Sequence, residues 1–527
     1  NNLSNVKIML LPAAFTDGKY KVTKGNLQQI SLSFIDPTNV YITDTKNSSD
    51  YSLTENNNVL VQANSVLSIN NTTDINQLII YPGAKVNVSS GTTLNDVILK
   101  ADDSNSFSLK LGTCMTINGT LTFEKTMLDS KWYFLSFPCD VNVADITMSG
   151  GGILDSDFYI LTYDGANRAI NGLGSNWSHV TGGTLAAKKG YAFGLRTGIG
   201  TQTLSFVLNK SIAECENEST VPATFYDGSL GNNHKGWNLI GQPYLCNFSG
   251  CDVGLNFLTT WNGSTYVGRA NSLVSCIQPF EAFFVQVPNS APISFSLTGR
   301  QSVRSVVVKD IQESMQLKIK STEGEDISTF VFDNEQSAGY QIGQDLEKWI
   351  SVESNKPQIY SLLNGVKYTH NALPLTYASN LTIAYYSKNA GTFTISADNI
   401  AVADLKALIL LDSQTGTSTD LMQESYRFEA VAGTIENRFQ LIAQRISTGD
   451  TQNVESDKPV VFVQNSILKI HYLPSNSVIQ ITDISGKILE SNNVSDDNFE
   501  FTLKNAGIYT IQIVSNKGNW IYKTSNN

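Results

Sequence analysis

Between residues 59 and 123 the chain alternates apolar and polar positions in short bursts: VLV (59–61), LSI (67–69), LII (78–80), VNV (86–88), VIL (97–99), FSL (107–109), TI (116–117) and LTF (121–123). Most bursts begin about 8 to 11 residues after the previous one, with Asn, Gly, Ser or Asp between them. An apolar-polar-apolar triplet is the period of a half-buried strand. The turn signals in YPGAKVNVSSGTTL, Pro82-Gly83 and Gly91, punctuate the series. Short strands at even spacing favour a small parallel β-solenoid over an antiparallel sandwich.

The next pattern is a duplication. WYFLSFP (132–138) matches WNLIGQP (237–243), LTYDG (161–165) matches TTWNG (259–263), GYAFGL (190–195) matches EAFFVQV (281–287), and LSFVL (204–208) matches ISFSL (293–297). The matches keep their order, and the second copy has the shorter connections. This predicts two β-units, 129–220 and 221–303, packed as a pair. Residues 304–447 hold seven further strand signals, including MQLKIKS (315–321), LTIAYYS (381–387) and NRFQLIA (437–443), which fit a β-sandwich. Within them IGQDLEKW (342–349) reads as a loop or short helical turn. STGDTQNVESDKP (447–459) is polar and nearly free of apolar residues, so 448–459 is expected to be a linker. The last block, 460–527, carries six or seven strand signals of a small Ig-like sandwich. The fold class is therefore all-β: an N-terminal β region, 1–128, with a short β-solenoid, followed by several β-sandwich (Ig-like) domains.

Composition narrows the function. Charged residues make up 16% of the chain, against about a quarter in an ordinary soluble domain. The net charge of −11 argues against nucleic acid and anionic membrane surfaces, which require basic patches. No apolar run reaches the roughly 18 residues that span a bilayer; VKIMLLPAAF (6–15) is interrupted by Pro12. The opening Asn1-Asn2-Leu3 lacks the basic start of an export leader, so such a leader is expected to be absent or already removed. All six cysteines, Cys114, Cys139, Cys215, Cys246, Cys251 and Cys276, fall in one third of the chain without a C-x-x-C pair. That pattern allows disulfides in an oxidising compartment, or buried thiols, and speaks against zinc.

Catalytic chemistry finds little footing. The histidines, His179, His234, His370 and His471, lie in separate contexts, and no metalloprotease, nucleophile-elbow or phosphate-loop motif occurs. Asp155 with Asp157 and Glu325 with Asp326 are the carboxylate pairs a glycosidase would need, but loop acids beside strands are commonplace. The oxygen-rich stretches 102–105 and 495–498 lack the order of a calcium loop. No catalytic residue, metal site or cofactor is expected. Aromatics are the candidate binding set. Trp132 and Trp237 occupy equivalent apolar strands and read as core anchors, whereas Tyr163, Trp177, Trp261 and Tyr266 sit by turns and loops, where they can stack on a glycan or a surface protein.

Two stretches resemble known families. LLDSQTGTSTDLMQESYRFEAVAGTIENRFQLI (410–442), with PQIYSLLNG (357–365) upstream, resembles a β-sandwich module of exported Bacteroidetes proteins through Asp412, Thr415-Gly416, Tyr426, Phe428, Gly433-Thr434 and Arg438-Phe439. Residues 461–523 resemble the type A C-terminal sorting domain of the Bacteroidetes type IX secretion system. Asp483, Gly486 and Lys487 match its Asp-x-x-Gly-Lys turn, Gly507 and Tyr509 its Gly-Ile-Tyr strand opening, and Lys523 its closing strand. This chain departs from the family by ending on Thr524-Ser525-Asn526-Asn527 after that lysine. The resemblance implies an exported protein at the extracellular or outer-membrane surface, with the secretion machinery as a partner. The expected function is a non-enzymatic surface protein, an adhesin or structural component. The alternative is a carbohydrate-binding protein that captures polysaccharide or host glycan, with a glycoside hydrolase or lyase as the third reading.

Overall fold

The computed structural model describes residues 38–526, apart from 214–216, 272–273, 275, 302–313, 334, 375–376, 378–379, 403–404, 446–458 and 465. The stretch 6–15, Cys215 and nearly all of the expected linker lie outside the described residues. The regular structure of the described residues is nearly all β-strand, with one short α-helix, Gly165–Asn171, and a few single 3-10 turns.

The solenoid is built from two stacked parallel sheets. Strands Asn39–Ile42, Asn58–Val61, Thr73–Ile80, Thr92–Ala101 and Leu121–Met127 form one; Thr45–Asn47, Val66–Ile69, Lys85–Val88 and Ser108–Leu111 form the other. Rungs repeat in register, so Val59 lies beside Leu78 and Leu78 beside Val97. Every second residue turns inward: Val59, Val61, Leu67, Ile69, Leu78, Ile80, Val86, Val97 and Leu99 have no exposed surface. Each such side chain contributes about 1.5–3 kcal/mol of burial. Among the described residues the solenoid reaches back beyond residue 59 to Asn39, and an asparagine ladder runs along its edge. Asn58 donates to Asn39 at 2.9 Å, Asn76 to Asn58 at 2.8 Å and Asn95 to Asn76 at 3.2 Å.

The last rung is shared. Leu121–Met127 is parallel to Thr92–Ala101 on one side and antiparallel to Gln202–Leu208 on the other. Phe123, Phe137, Phe193 and Phe206 belong to one core with the solenoid's Leu and Val, so solenoid and first repeat fuse at this strand.

Both repeats contain a four-stranded antiparallel sheet of the same order. In the first it runs Trp132–Ser136, Gly190–Leu195, Phe158–Tyr163, Trp177–His179; in the second Trp237–Gly241, Ala282–Gln286, Phe257–Trp261, Tyr266–Ala270. Strand register shifts one sequence match. Trp132 faces Gly194 and Trp237 faces Gln286, so Gly190 corresponds to Ala282 rather than to Glu281. A one-residue slip would exchange the two faces of the strand. With the observed register, Tyr191 and Phe283 both point into their own unit, and Ala192 and Phe284 both point at the other sheet.

Residues beyond 313 form two further assemblies. An eleven-stranded sheet, from Ser314–Ser321 to Gly433–Arg445, encloses a core containing Phe330, Ile359, Tyr385, Phe428 and Phe439. Part of the expected loop 342–349 is strand instead: Leu346–Glu347 pairs with Val366–Leu373. At the C-terminus, sheets of three and four strands close on Leu468, Ile470, Ile479, Ile481, Ile511 and Ile513.

Candidate functional site

The outer faces of the two repeat sheets pack on each other around Phe134 and Phe284. The four aromatics singled out from the sequence lie there, as two corresponding cross-strand pairs: Tyr163 opposite Trp177, and Trp261 opposite Tyr266. Trp177 stands on strand Trp177–His179, not in a loop. The rings are half-buried against one another. Phe134 lies 5.5 Å from Trp177, 5.9 Å from Trp261 and 6.1 Å from Tyr266, and Tyr163 lies 4.7 Å from Phe284. Burial raises the Tyr163 phenol and pushes that of Tyr266 up to about 12. The set forms an inter-unit core rather than an exposed stacking platform.

The equivalent tryptophans Trp132 and Trp237 have different fates. Trp237 is fully buried, while Trp132 is 38% exposed. Trp237 packs on Trp349 at 4.6 Å, and the connections after Tyr163 and Trp261 differ as well. In the first repeat this connection carries the Gly165–Asn171 helix, whose Arg168 guanidinium sits 4.8 Å over Trp237 and 4.4 Å over Trp349. In the second it is a tight turn, with the Asn262 side chain accepting from the Ser264 and Thr265 amides. The helix therefore covers Trp237, and the short turn leaves Trp132 beside an open cleft. Trp132 is thus not the core anchor that its position in the repeat predicts.

This cleft, of about 350 Å³, lies where the end of the solenoid meets both repeats. Lys125, on the shared last rung, projects into it from a buried position and donates to the Asp102 carbonyl; its ammonium lies 5.0 Å from the Tyr133 ring. Burial lowers the Lys125 ammonium to about 8, against the nearby charges of Asp102, Asp103 and Glu281, which raise it. Asp103 accepts from Lys131 Nζ and from the Tyr133 hydroxyl, both at 2.6 Å. Burial works to raise Asp103, but these hydrogen bonds outweigh it and hold the carboxyl below its ordinary range. Glu281 accepts from the Gln278 amide at 2.9 Å. Trp261 closes one wall and donates from Nε1 to the Trp132 carbonyl at 2.8 Å.

Sequence reasoning missed Lys125, Lys131 and Glu281, and took Asp103 only as part of the oxygen-rich stretch 102–105. Glu281 lies some 150 residues further along the chain, and the fused rung and the packing of the repeats bring it to the others. One signal was present: TYDG and TWNG mark equivalent turns followed by connections of unequal length.

The remaining acidic candidates are engaged structurally. Asp155 pairs with His179, Asp157 with Arg196 and Asp326 with Lys348. Asp102 caps its own loop by accepting from the Ser104 and Asn105 amides. Among the described residues no group of three or more His, Cys, Asp or Glu is placed to hold a metal. Among the described residues no helix is long and apolar enough to cross a membrane. Cys114 is disulfide-bonded.

The C-terminal motif residues converge. Asp483 faces Tyr509 across adjacent strands. The Asp483 carboxylate accepts from the Ser485 amide at 2.9 Å and the Lys487 amide at 3.1 Å, and Gly486 takes a positive φ of 84° in that turn. Tyr509 donates to the Asn505 carbonyl at 2.5 Å. Gly507 opens the Gly507–Ser515 strand, and Lys523 is exposed on the neighbouring one.

No known protein family matches the chain, and no curated protein matches it. Among solved structures, a likeness is found to PorZ, an essential bacterial surface component of the type-IX secretion system of human oral-microbiomic Porphyromonas gingivalis. The identity is 12% and the TM-score 0.14, over 31% of this chain and 23% of that one. The overlap is too small a part of either molecule to assign this chain to a family.

Proposed function

We propose that the chain is a secreted or cell-surface multidomain β protein without enzymatic activity, serving as an adhesin or structural surface component. The observation that carries this reading is the C-terminal unit. There the residues of the sorting-type resemblance meet across one sheet, with Asp483 organising a tight turn opposite the buried Tyr509. The disulfide at Cys114 supports folding in an oxidising compartment. The test is export of the full chain, behind a secretory leader, in a Bacteroidetes host with an intact type IX system and in a mutant lacking it. Surface accessibility to protease is expected only in the intact host, and deletion of 460–527 is expected to retain the protein inside the outer membrane. Retention of the full chain in the intact host would overturn the proposal.

A second reading, glycan capture, is favoured by one observation: a cleft lined by Trp132 and Trp261 together with the charged Lys125, Asp103, Lys131 and Glu281.

A further inference from the structure

The two repeats carry the same row of positions at one end of their paired sheets. In the first repeat Trp132 faces Gly194, Gly194 faces Tyr159, and His179 stands opposite Leu161 on the next strand. The register places Trp237, Gln286, Phe257 and Gly268 at the matching positions of the second.

The chain covers the row of the second repeat with its own eleven-stranded assembly. Trp349 packs on Trp237 at 4.6 Å, and His370 on Phe257 at 4.5 Å. The Tyr340 hydroxyl donates to Gln286 at 2.6 Å. A Cβ on Gly268 would lie 2.7 Å from Leu346. The row of the first repeat stays open. Trp132 is 38% exposed, and the side chains of Arg196 and His179 are 52% and 56% exposed. The Trp132 indole lies on the bare backbone of Gly194, where a Cβ would come within 2.9 Å of its ring carbons. The His179 ring meets the Tyr159 ring edge-on at 6.2 Å.

The residues around the open row decide what it accepts. Arg196 lies two positions beyond Gly194 and Asp157 two before Tyr159, hence on the same face of the sheet, and the two pair at 3.2 Å. Asp155 pairs with His179 at 2.5 Å. In the second repeat the positions of Asp157 and Arg196 hold Leu255 and Pro288. A polypeptide seated on the first row would take both polar pairs out of water, a cost that their attraction often fails to repay. Two carboxylates face one guanidinium and one imidazole, so the row has no surplus positive charge to attract an acidic ligand. Hydroxyl groups, which donate and accept together, can take the place of water on these exposed groups. The rings of Trp132 and Tyr159 offer apolar faces for ring C–H groups. The row spans two inter-strand steps, about 10 Å, which suits the side of an oligosaccharide rather than a single terminal ring.

We infer that this row binds the flank of a neutral oligosaccharide, with sugar rings on Trp132 and Tyr159 and hydroxyl groups on Arg196, Asp157 and His179. This rests on the glycan-capture reading and places the ligand on the outer face of the first repeat's sheet, apart from Lys125 and Asp103.

The test uses the full chain on a printed array of neutral glucose, galactose, mannose and N-acetylhexosamine oligomers, from single units upward, with uronate- and sialic-acid-containing counterparts. Saturable binding to a neutral oligomer is expected, weakest for the single units. Trp132→Ala and Tyr159→Ala are each expected to weaken it about tenfold or more, and Trp132→Phe to keep it within about threefold. Thermal melts establish that each variant is folded. On the unmutated chain, the bound oligomer is expected to slow carbethoxylation of His179, read by peptide mass spectrometry. A blank array with folded protein overturns both this inference and glycan capture; self-association lost in Trp132→Ala would then put a second copy of the chain on the row. Binding that survives Tyr159→Ala but is lost in Lys125→Met, with His179 unprotected, overturns the row in favour of the cleft and leaves glycan capture standing. Binding that survives Trp132→Ala and Tyr159→Ala alike overturns the row as well. Binding confined to the acidic oligomers overturns the neutral class.

Discussion

Arg168 and Glu347, 179 residues apart in the chain, form an ion pair whose side chains are 2% and 6% exposed. Glu347 also accepts from Asn233 Nδ2 and Trp349 Nε1, both at 2.9 Å, and Trp237 donates to the Asn233 carbonyl at 2.8 Å. One carboxylate thus links the first repeat, the second repeat and the eleven-stranded assembly. Removing one partner of such a pair leaves an uncompensated buried charge, which costs about 3–5 kcal/mol. Arg168→Met and Glu347→Gln are each expected to destabilise the chain by about that amount in denaturant unfolding. The double variant is expected to lose less than the sum of the two, because their effects couple. Additive losses would show that the pair does not act as a unit.

Asp345 and His370 titrate in opposite senses beside that junction. Burial pushes the Asp345 carboxyl up to about 7 and the His370 imidazole down to about 4. Between about pH 4 and 7 the folded chain keeps a proton on Asp345 that the unfolded chain has released, so this group lowers stability as pH rises. Between about pH 4 and 6.5 the unfolded chain holds a proton on His370 that the folded chain lacks, so this group raises stability as pH rises. The two oppose each other across most of that window, each on the order of a few kcal/mol. Relative to the parent, Asp345→Asn is expected to make stability climb more steeply from pH 4 to 6.5. His370→Phe, which keeps a ring against Phe257 at the 4.5 Å contact, is expected to make it fall. Unfolding midpoints measured at several pH values check both slopes.

Much of this architecture was legible in the chain. Alternating triplets with Asn-rich turns gave the solenoid, because one buried face leaves a period of two in the sequence. The repeats were legible through Trp132 and Trp237, but their register was not: GYAFGL and AFFVQ are buried on both faces, so no polar position marks which side is which. The cleft was illegible for a related reason. Lys125 reads as one polar residue in an alternating strand, and the packing of the repeats against the solenoid's end, with Tyr133 against its ammonium, makes it a buried one. Trp261 and Tyr266 look like exposed turn aromatics because the sheet they pack against is supplied by the other repeat.

The repeats meet through reciprocal contacts that call for small residues. Ser136 N donates to the Phe280 carbonyl at 3.0 Å, and Gly241 N to the Lys188 carbonyl at 3.1 Å. Ser136 corresponds to Gly241 and Lys188 to Phe280. Both carbonyl-bearing residues take positive φ, 64° for Lys188 and 61° for Phe280. A Cβ on Gly241 would lie 2.3 Å from the Ser136 Cβ. Overpacking of this kind costs about 1–3 kcal/mol. Gly241→Ala is expected to lower stability by that amount, and adding Ser136→Gly to recover most of it, since the obstructing atom is a side chain. A Gly241→Ala chain as stable as the parent in thermal unfolding would show that the interface yields.

The residues that resemble an exported β-sandwich module form one polar network. The Arg438 guanidinium, itself largely buried, donates to Asp412 from Nε at 3.0 Å and from Nη2 at 2.8 Å, and the Tyr426 hydroxyl donates to the same carboxylate at 2.7 Å. Arg438 also lies 4.7 Å from the Phe428 ring and donates to the Glu429 carbonyl. The motif spacing is therefore a folding requirement: an Asp at the end of one strand, a Tyr-x-Phe strand and an Arg-Phe strand converge on a single buried charge. Burial works to raise Asp412, and the bonds from Arg438 and Tyr426 outweigh it, so its carboxyl stays below the ordinary range. The folded chain binds this proton less readily than the unfolded one, so the contribution is present above about pH 4 and is lost as pH falls further. Asp412→Ala leaves Arg438 unpaired in the interior and is expected to cost about 3–5 kcal/mol. Tyr426→Phe removes one hydrogen bond to a charged group and is expected to cost about 1.5–3 kcal/mol. Asp412→Asn keeps the shape without the charge, so its deficit relative to the parent should shrink as pH drops below 4. Denaturant unfolding of the three variants at pH 7 and pH 3 separates packing from charge: a deficit for Asp412→Asn that is the same at both values would assign the network's contribution to shape alone.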